Sequence, residues 1–249
     1  MSDHPTCIDI SHWQGFPDFD QVMAAGVVAC IMKATEGTTF VDPNRAQNYI
    51  NATNAGLVCC TYHWLRPGDA IAQMLFYLQT VDPVPGERMV IDYEEDGCTL
   101  DGLKEAVSVL LDDRRGLQVT VYSGHLLKEQ LGDSCDEFLR DNTDLWLAQY
   151  TTGTPEWPSG TYPVWTLWQY SENGTIDGID DTNVDLNRFN GTPDNLIKWI
   201  GPADVIPQPE HDQVPVSIDI TVPNNVALTI SVNGETAVYR SAMKWERLK

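Results

Sequence analysis

Short apolar runs rich in β-branched residues alternate along this chain with segments whose apolar positions recur every three to four residues. The runs cover 7–11, 27–33, 57–63, 88–94, 117–123, 145–150, 164–170 and 182–187, and helical spacing covers 19–25, 43–55, 70–81, 100–115 and 134–139. Strand and helix in alternation predict a parallel sheet covered by helices, and eight strands in about 190 residues predict its closure into a barrel. After the sixth run the connections hold Gly, Pro and Thr in place of helix formers. The expected fold class is therefore α/β, an irregular TIM-like β/α barrel, with the irregularity in its last third.

Each apolar run ends in groups able to bind or to do chemistry. In chain order these are Asp9, Lys33 with Glu36, Tyr62 with His63, Asp92 with Glu94, Tyr122, Gln149 with Tyr150, Gln169 with Tyr170, and Asp185 with Asn187. The carboxyl ends of barrel strands form one mouth, where barrels of this kind place their sites. Asp92 and Glu94 are i and i+2 on a strand, so they share a face with α-carbons about 6.6 Å apart. Two carboxylates so close do not ionise together easily, and an acid beside a carboxylate is the equipment for glycosidic bond cleavage. The plain alternative is a solvated acidic turn after a buried strand. Trp13, Tyr62, Trp64, Trp146 and Trp168 are candidates for stacking on sugar faces, each with a core-packing alternative.

Composition narrows the partners. The 249 residues carry 36 acidic and 15 basic side chains, a formal charge of -21, which argues against nucleic acid or an anionic membrane surface. Residues 193–249 hold seven acidic and five basic groups, so the first 192 hold a balance of -19. No apolar stretch is long enough to span a bilayer, so no stable membrane insertion is expected. The segment from Met1 to Cys7 lacks the basic start and apolar stretch of a secretory signal. Synthesis in a host cytoplasm is expected, with access to an external substrate through a membrane lesion made by another protein. Cys7, Cys30, Cys59 and Cys60 sit inside apolar runs and are expected as buried free thiols, with Cys59 and Cys60 facing opposite ways. No C-x-x-C or H-E-x-x-H spacing occurs, so neither a metal nor a cofactor is expected.

Seven motifs then occur in order: Ile8-Asp-Ile-Ser-His-Trp-Gln-Gly15, Met32-Lys-Ala-Thr-Glu-Gly37, Thr61-Tyr-His-Trp64, Val90-Ile-Asp-Tyr-Glu94, Leu145-Trp-Leu-Ala-Gln-Tyr150, Leu167-Trp-Gln-Tyr-Ser171 and Asn183-Val-Asp-Leu-Asn-Arg-Phe189. On these the chain resembles the lysozymes of glycoside hydrolase family 25, the N-acetylmuramidases found among bacteriophage endolysins and bacterial wall-lytic enzymes. The resemblance implies hydrolysis of the β-1,4 bond between N-acetylmuramic acid and N-acetylglucosamine in bacterial peptidoglycan. Carried over by position, it makes Glu94 the general acid and Asp92, Asp9 and Asp185 the other carboxylates of the site. Tyr62, Lys33, Trp146, Gln169, Glu36 and Trp13 are candidate substrate contacts. Asp92 is open to two roles, nucleophile or orienter of the substrate's N-acetyl group, and net retention is the expectation. Asp9 and Asp185 have structural alternatives, as loop caps or partners of Lys33. Trp64 departs from the smaller aromatic expected there. Other readings are a sugar-binding barrel without catalysis and a wall-degrading component of a phage particle.

Past Asn190 the pattern changes. Residues 192–200 predict one closing helix of the barrel domain, 1–200, and 201–215, with four prolines, predict a semi-rigid linker. Residues 216–222, 227–232 and 236–240 alternate apolar and polar positions, joined through Pro223 to Asn225 and through Asn233-Gly234, a hairpin signal. Three strands bury little core alone, so the 216–249 module is expected to stabilise the barrel, to form a homo-oligomer or to bind the wall.

Overall fold

The strands identified by patterning close into a ring. The computed structural model describes residues 7–180 and 183–201, together with the backbone of 227–232, 235–240 and 246–247. The barrel strands are β1 (Cys7–Ile10), β2 (Ala29–Glu36), β4 (Val58–Trp64), β5 (Arg88–Asp92), β6 (Gln118–Ser123), β7 (Asp144–Ala148), β8 (Leu167–Gly174) and β9 (Val184–Phe189), with the two-residue β3 (Phe40–Val41) appended to β2. The sheet runs β1-β9-β8-β7-β6-β5-β4-β2, and a β1–β2 pairing closes it. Every neighbour from β1 round to β8 is parallel, but β9 is antiparallel to both β8 and β1. The expectation that all eight runs deliver their carboxyl ends to the mouth is corrected at this strand. Without a crossover helix between β8 and β9, the chain turns back on itself, so β9 presents its amino end at the mouth.

The helices are α1 (Phe19–Ala24), α2 (Arg45–Asn54), α3 (Ala70–Val81), α4 (Leu100–Leu111), α5 (His125–Leu131), α6 (Glu137–Asn142) and α7 (Pro193–Ile200). Asp18, Asp69, Thr99, Asp136 and Thr192 each accept a hydrogen bond from a backbone N–H three residues on, so part of the acidity is helix capping. Helix α5 was not expected: it spans only seven residues, and its N-cap, Gly124, has no side chain to announce it.

Three apolar layers result. The outer faces of β4–β8 pack on α3, α4 and α5 around Tyr77, Leu103 and Leu127, and the outer faces of β1 and β2 pack on α1 and α2 around Val22 and Ala52. The barrel interior is filled by Cys7, Ile31, Cys60, Val90, Trp146 and Leu167, with Leu196 and Ile200 of α7 inserted into the same cluster. Helix α7 thus closes the end opposite the mouth. Arg88, at the start of β5, ties it down by donating to the Trp199 carbonyl at 2.7 Å and stacking on the Trp199 ring at 4.0 Å. Cys59 lies in an outer layer and Cys60 in the interior, both as free thiols.

The chain divides into two units, Met1–Pro207 and Gln208–Lys249. In the second, β10 (Ala227–Val232) pairs antiparallel with β11 (Glu235–Arg240), and β11 with β12 (Glu246–Arg247). The expected linker beyond 201, the strand at 216–222 and the Asn233-Gly234 turn lie outside the described residues.

Candidate active site

Asp9 and Asp185 meet because of strand register. They are directly opposite in the antiparallel β1–β9 pair, so their side chains share one face of the sheet. Asn187, two residues on along β9, lies on that same face and donates to Asp9 Oδ2 at 2.7 Å, while Gln169 of β8 donates to both Asp9 oxygens at 3.2 and 3.0 Å. The amide orientations are fixed from behind. Trp146 Nε1, which can only donate, points at Asn187 Oδ1 at 2.7 Å, and the hydroxyls of Tyr122 and Tyr150 donate to Gln169 Oε1 at 2.7 and 2.9 Å. Both amides must therefore turn their NH₂ groups to Asp9.

These donors favour the ionised form of Asp9, but burial outweighs them and pushes its carboxyl up to about 6. Burial, then the Asp9 charge and a hydrogen bond to Asp9, push Asp185 up to about 9. Both carboxyls are thus pushed toward the protonated form, Asp185 the more strongly, which favours a proton shared within the pair and donated toward Asp9.

Asp92 and Glu94 come from the end of β5 and the segment just after it. Asp92 is 4% exposed and its Oδ1 has no hydrogen-bond partner among the described residues. Burial, followed by the charge of Glu94, raises its carboxyl well above the usual range, with Lys33 opposing. Glu94 is also raised, by burial and then by Asp9, with His125 and Lys33 opposing. The charge of Glu94 is felt at Asp92, the more strongly raised of the two, whereas the charge felt most at Glu94 is that of Asp9.

All four carboxylates line one cleft of about 250 Å³. Of the candidate substrate contacts, Tyr62, Trp146 and Gln169 line it as well. Trp146 is almost fully buried and packs edge-on against Tyr122, with ring centroids 4.7 Å apart, so it forms floor more than sugar platform. Lys33 and Glu36 stand behind the wall: Lys33 pairs with Glu36, its ammonium lies 4.8 Å from the Trp64 ring, and Arg66 bridges Glu36 and Glu95. Trp64 itself lines the cleft and donates to Glu95 at 3.1 Å, so this ionic network fixes its ring in the wall. Trp13 lies apart from the cleft lining, 77% exposed and stacked on His12 at 4.7 Å. His63 faces the helix layer, bonded to Thr35 and Gln73, and Trp168 donates to the Gln149 carbonyl from the outer layer.

Glu172, which was not a candidate, also lines the cleft, and Asn187, expected at the mouth beside Asp185 but given no role, holds its central carboxylate. Strict alternation from Gln169 sends Glu172 to the outer face. Register irregularities between Gln169 and Ser171 and between Ser171 and Gly174 bring it back. A fifth carboxylate in the cleft therefore had no signal in the period-two pattern. Asn187 had one, since it lies two residues from Asp185.

A model described as glycosyl hydrolases family 25 matches residues 8–179. Lysozyme M1 of Streptomyces globisporus is 30% identical over 207 residues, covering 76% of this chain and 69% of its own. The bacterial lysozyme from Streptomyces coelicolor aligns structurally with a TM-score of 0.71 and 28% identity, over 80% of this chain and 98% of that one. The CTP1L endolysin aligns with a TM-score of 0.64 and 26% identity, over 78% of this chain and 68% of its own.

Proposed function

The chain belongs to glycosyl hydrolases family 25 and is a glycoside hydrolase of the lysozyme type acting on peptidoglycan, and from that premise we propose that it cleaves the β-1,4 bond between N-acetylmuramic acid and N-acetylglucosamine with Glu94 as general acid. The observation that carries the assignment is a glutamate held above its ordinary range in a cleft lined by three further aspartates. A general acid must keep its proton near the working pH, and the same negative potential favours an oxocarbenium-like transition state.

Asp92 takes the orienting role. Its unpaired, buried Oδ1 is an acceptor that the acetamido N–H of a bound sugar can satisfy. That hydrogen bond favours ionised Asp92 and leaves the proton on Glu94. The acetamido oxygen then attacks the anomeric carbon as Glu94 gives its proton to the leaving oxygen. Water opens the resulting oxazolinium, returning a proton to Glu94, and the two displacements give net retention. Proton NMR of the first-formed reducing end checks this: the β anomer appears first, and the α anomer would overturn retention.

Replacement of Glu94 by Gln keeps the shape and removes the titratable proton. The expected loss of rate is about 10²- to 10⁴-fold with the fold intact. Mass spectrometry of products from purified peptidoglycan reads it: the native chain releases fragments ending in reducing N-acetylmuramic acid and Glu94→Gln does not. Sedimentation of both proteins with the wall, without release by either, overturns the proposal. The likeness to the CTP1L endolysin supports a role in bacterial lysis by a phage, tested by complementing a lysis-defective phage with this chain. For the 208–249 unit the reading is stabilisation or self-association, tested by light scattering on the full chain.

A further inference from the structure

Beside the catalytic cleft lies a second depression, of about 690 Å³, lined by Tyr150, Thr151, Thr152, Tyr170, Ser171 and Arg188. It lies where β7, β8 and β9 follow one another without an intervening helix, so among the described residues no helix from these connections covers that face. Tyr150 belongs to both depressions: it is 50% exposed, and its hydroxyl anchors Gln169 in the catalytic cleft. The two sites are therefore contiguous through one aromatic wall.

Arg188 gives the depression its chemistry. It stands opposite Trp168 in the β8–β9 register, exposed, with its guanidinium 4.4 Å from the Tyr170 ring and 5.6 Å from the Trp168 ring. Like Arg45 and Arg114, and unlike Arg66, Arg88, Arg115 and Arg140, Arg188 makes no ion pair among the described residues; its polar partner there is the Tyr170 hydroxyl, and of the three it alone lies beside the cleft wall. A guanidinium lying over aromatic rings is positioned by them, and its remaining N–H groups can meet a carboxylate. In a chain of charge -21, a cation left unpaired beside an acidic cleft is a place for an anion that the cleft itself repels.

We propose that this depression is the subsite for the peptide stem of the glycan strand, with Arg188 holding a stem carboxylate. The proposal rests on the muramidase reading, because an N-acetylmuramic acid unit carries its stem through the lactyl group and that stem must leave the cleft. The cleft lining holds Asp9, Asp92, Glu94, Glu172 and Asp185, which disfavour an anionic stem lying along it. The neighbouring depression has the size range of ligand pockets, hydroxyls from Thr151 and Thr152, and the cation. Arg188 is thus a specificity residue that selects strands still bearing their peptides.

The test is calorimetric binding to the full chain carrying Glu94→Gln, which prevents turnover. Two probes are used: the disaccharide of N-acetylglucosamine and N-acetylmuramic acid bearing L-Ala-D-Glu, and the same fragment with both glutamate carboxyls amidated. The acid form binds about 5- to 10-fold tighter than the diamide, the value of one exposed charge-assisted contact. Adding Arg188→Met removes the difference, Arg188→Lys keeps part of it, and Arg114→Met, at an exposed site elsewhere, leaves it whole. Equal affinity for both probes with Arg188 present, or a preference that survives Arg188→Met, overturns the subsite. If the native chain is active in the mass-spectrometric assay in either case, only the subsite falls; if it releases no reducing ends and neither probe binds, the muramidase reading falls with it.

Discussion

At the scale of single residues, the site is a set of acids whose protons are placed by burial and by one another. Lys33 is the nearby cation that lowers both Asp92 and Glu94. Lys33→Met removes that opposition, so on the proposed mechanism, in which Glu94 is the acid, the alkaline limb of the kcat/KM profile moves to higher pH; a limb that stays put or moves down contradicts the assigned electrostatics. The Asp9–Asp185 pair has a consequence for stability. With Asp185 held up to about 9, the native form keeps a proton that the unfolded chain gives up near its ordinary value of about 4, so stability falls as pH rises across that window. Asp185→Asn mimics the protonated donor to Asp9 and has nothing to titrate. Its Tm is therefore expected to exceed the native value by more at pH 8 than at pH 4 while activity falls, as for other destabilised active sites. Thermal melts at the two pH values decide it.

At the scale of elements, the site is positioned by strand ends and held by what closes the barrel behind it. Helix α7 puts Leu196 and Ile200, both fully buried, into the interior beneath the cleft floor. Leu196→Ala is expected to cost about 2–5 kcal/mol through lost burial and a residual cavity. Thr192→Ala, which removes only the helix cap, is expected to cost about 1 kcal/mol. Urea unfolding of the two variants checks the ranking, and equal losses would mean that α7 is not the plug. The helices α3 and α4 were legible because each runs for twelve residues with one face buried, and the apolar runs of β4 to β6 because both faces are covered. Helix α5 is too short and uncapped to leave a pattern, and β8 runs past its apolar stretch to Gly174, through irregular pairing that no local rule signals.

At the scale of the whole molecule, a charge of -21 opposes approach to a wall bearing anionic polymers. The lysis rate on such walls is expected to rise severalfold from 10 to 150 mM salt, as the screening length shortens from about 30 Å to about 8 Å, and to change less on walls stripped of those polymers. A rate that falls with salt on both substrates would mean that attraction, not repulsion, governs the encounter. Four of the five cleft acids, Asp9, Asp92, Glu94 and Asp185, were visible in the linear chain because they lie in or beside short apolar runs, a local property. The barrel class was visible for the same reason, since period-two and period-3.6 patterns are fixed by neighbours a few positions apart. Which acids share a proton was not. The Asp9–Asp185 pair depends on β9 running antiparallel into β1, a pairing between residues 176 positions apart, and Glu172 reaches the cleft through a shifted ladder. The Arg188 depression lies over three consecutive strands that no helix separates among the described residues. Local spacing determined which residues had the chemistry; only closure of the ring decided which of them meet, because contact between distant strands is set by pairing direction and register, and neither is written in any one segment.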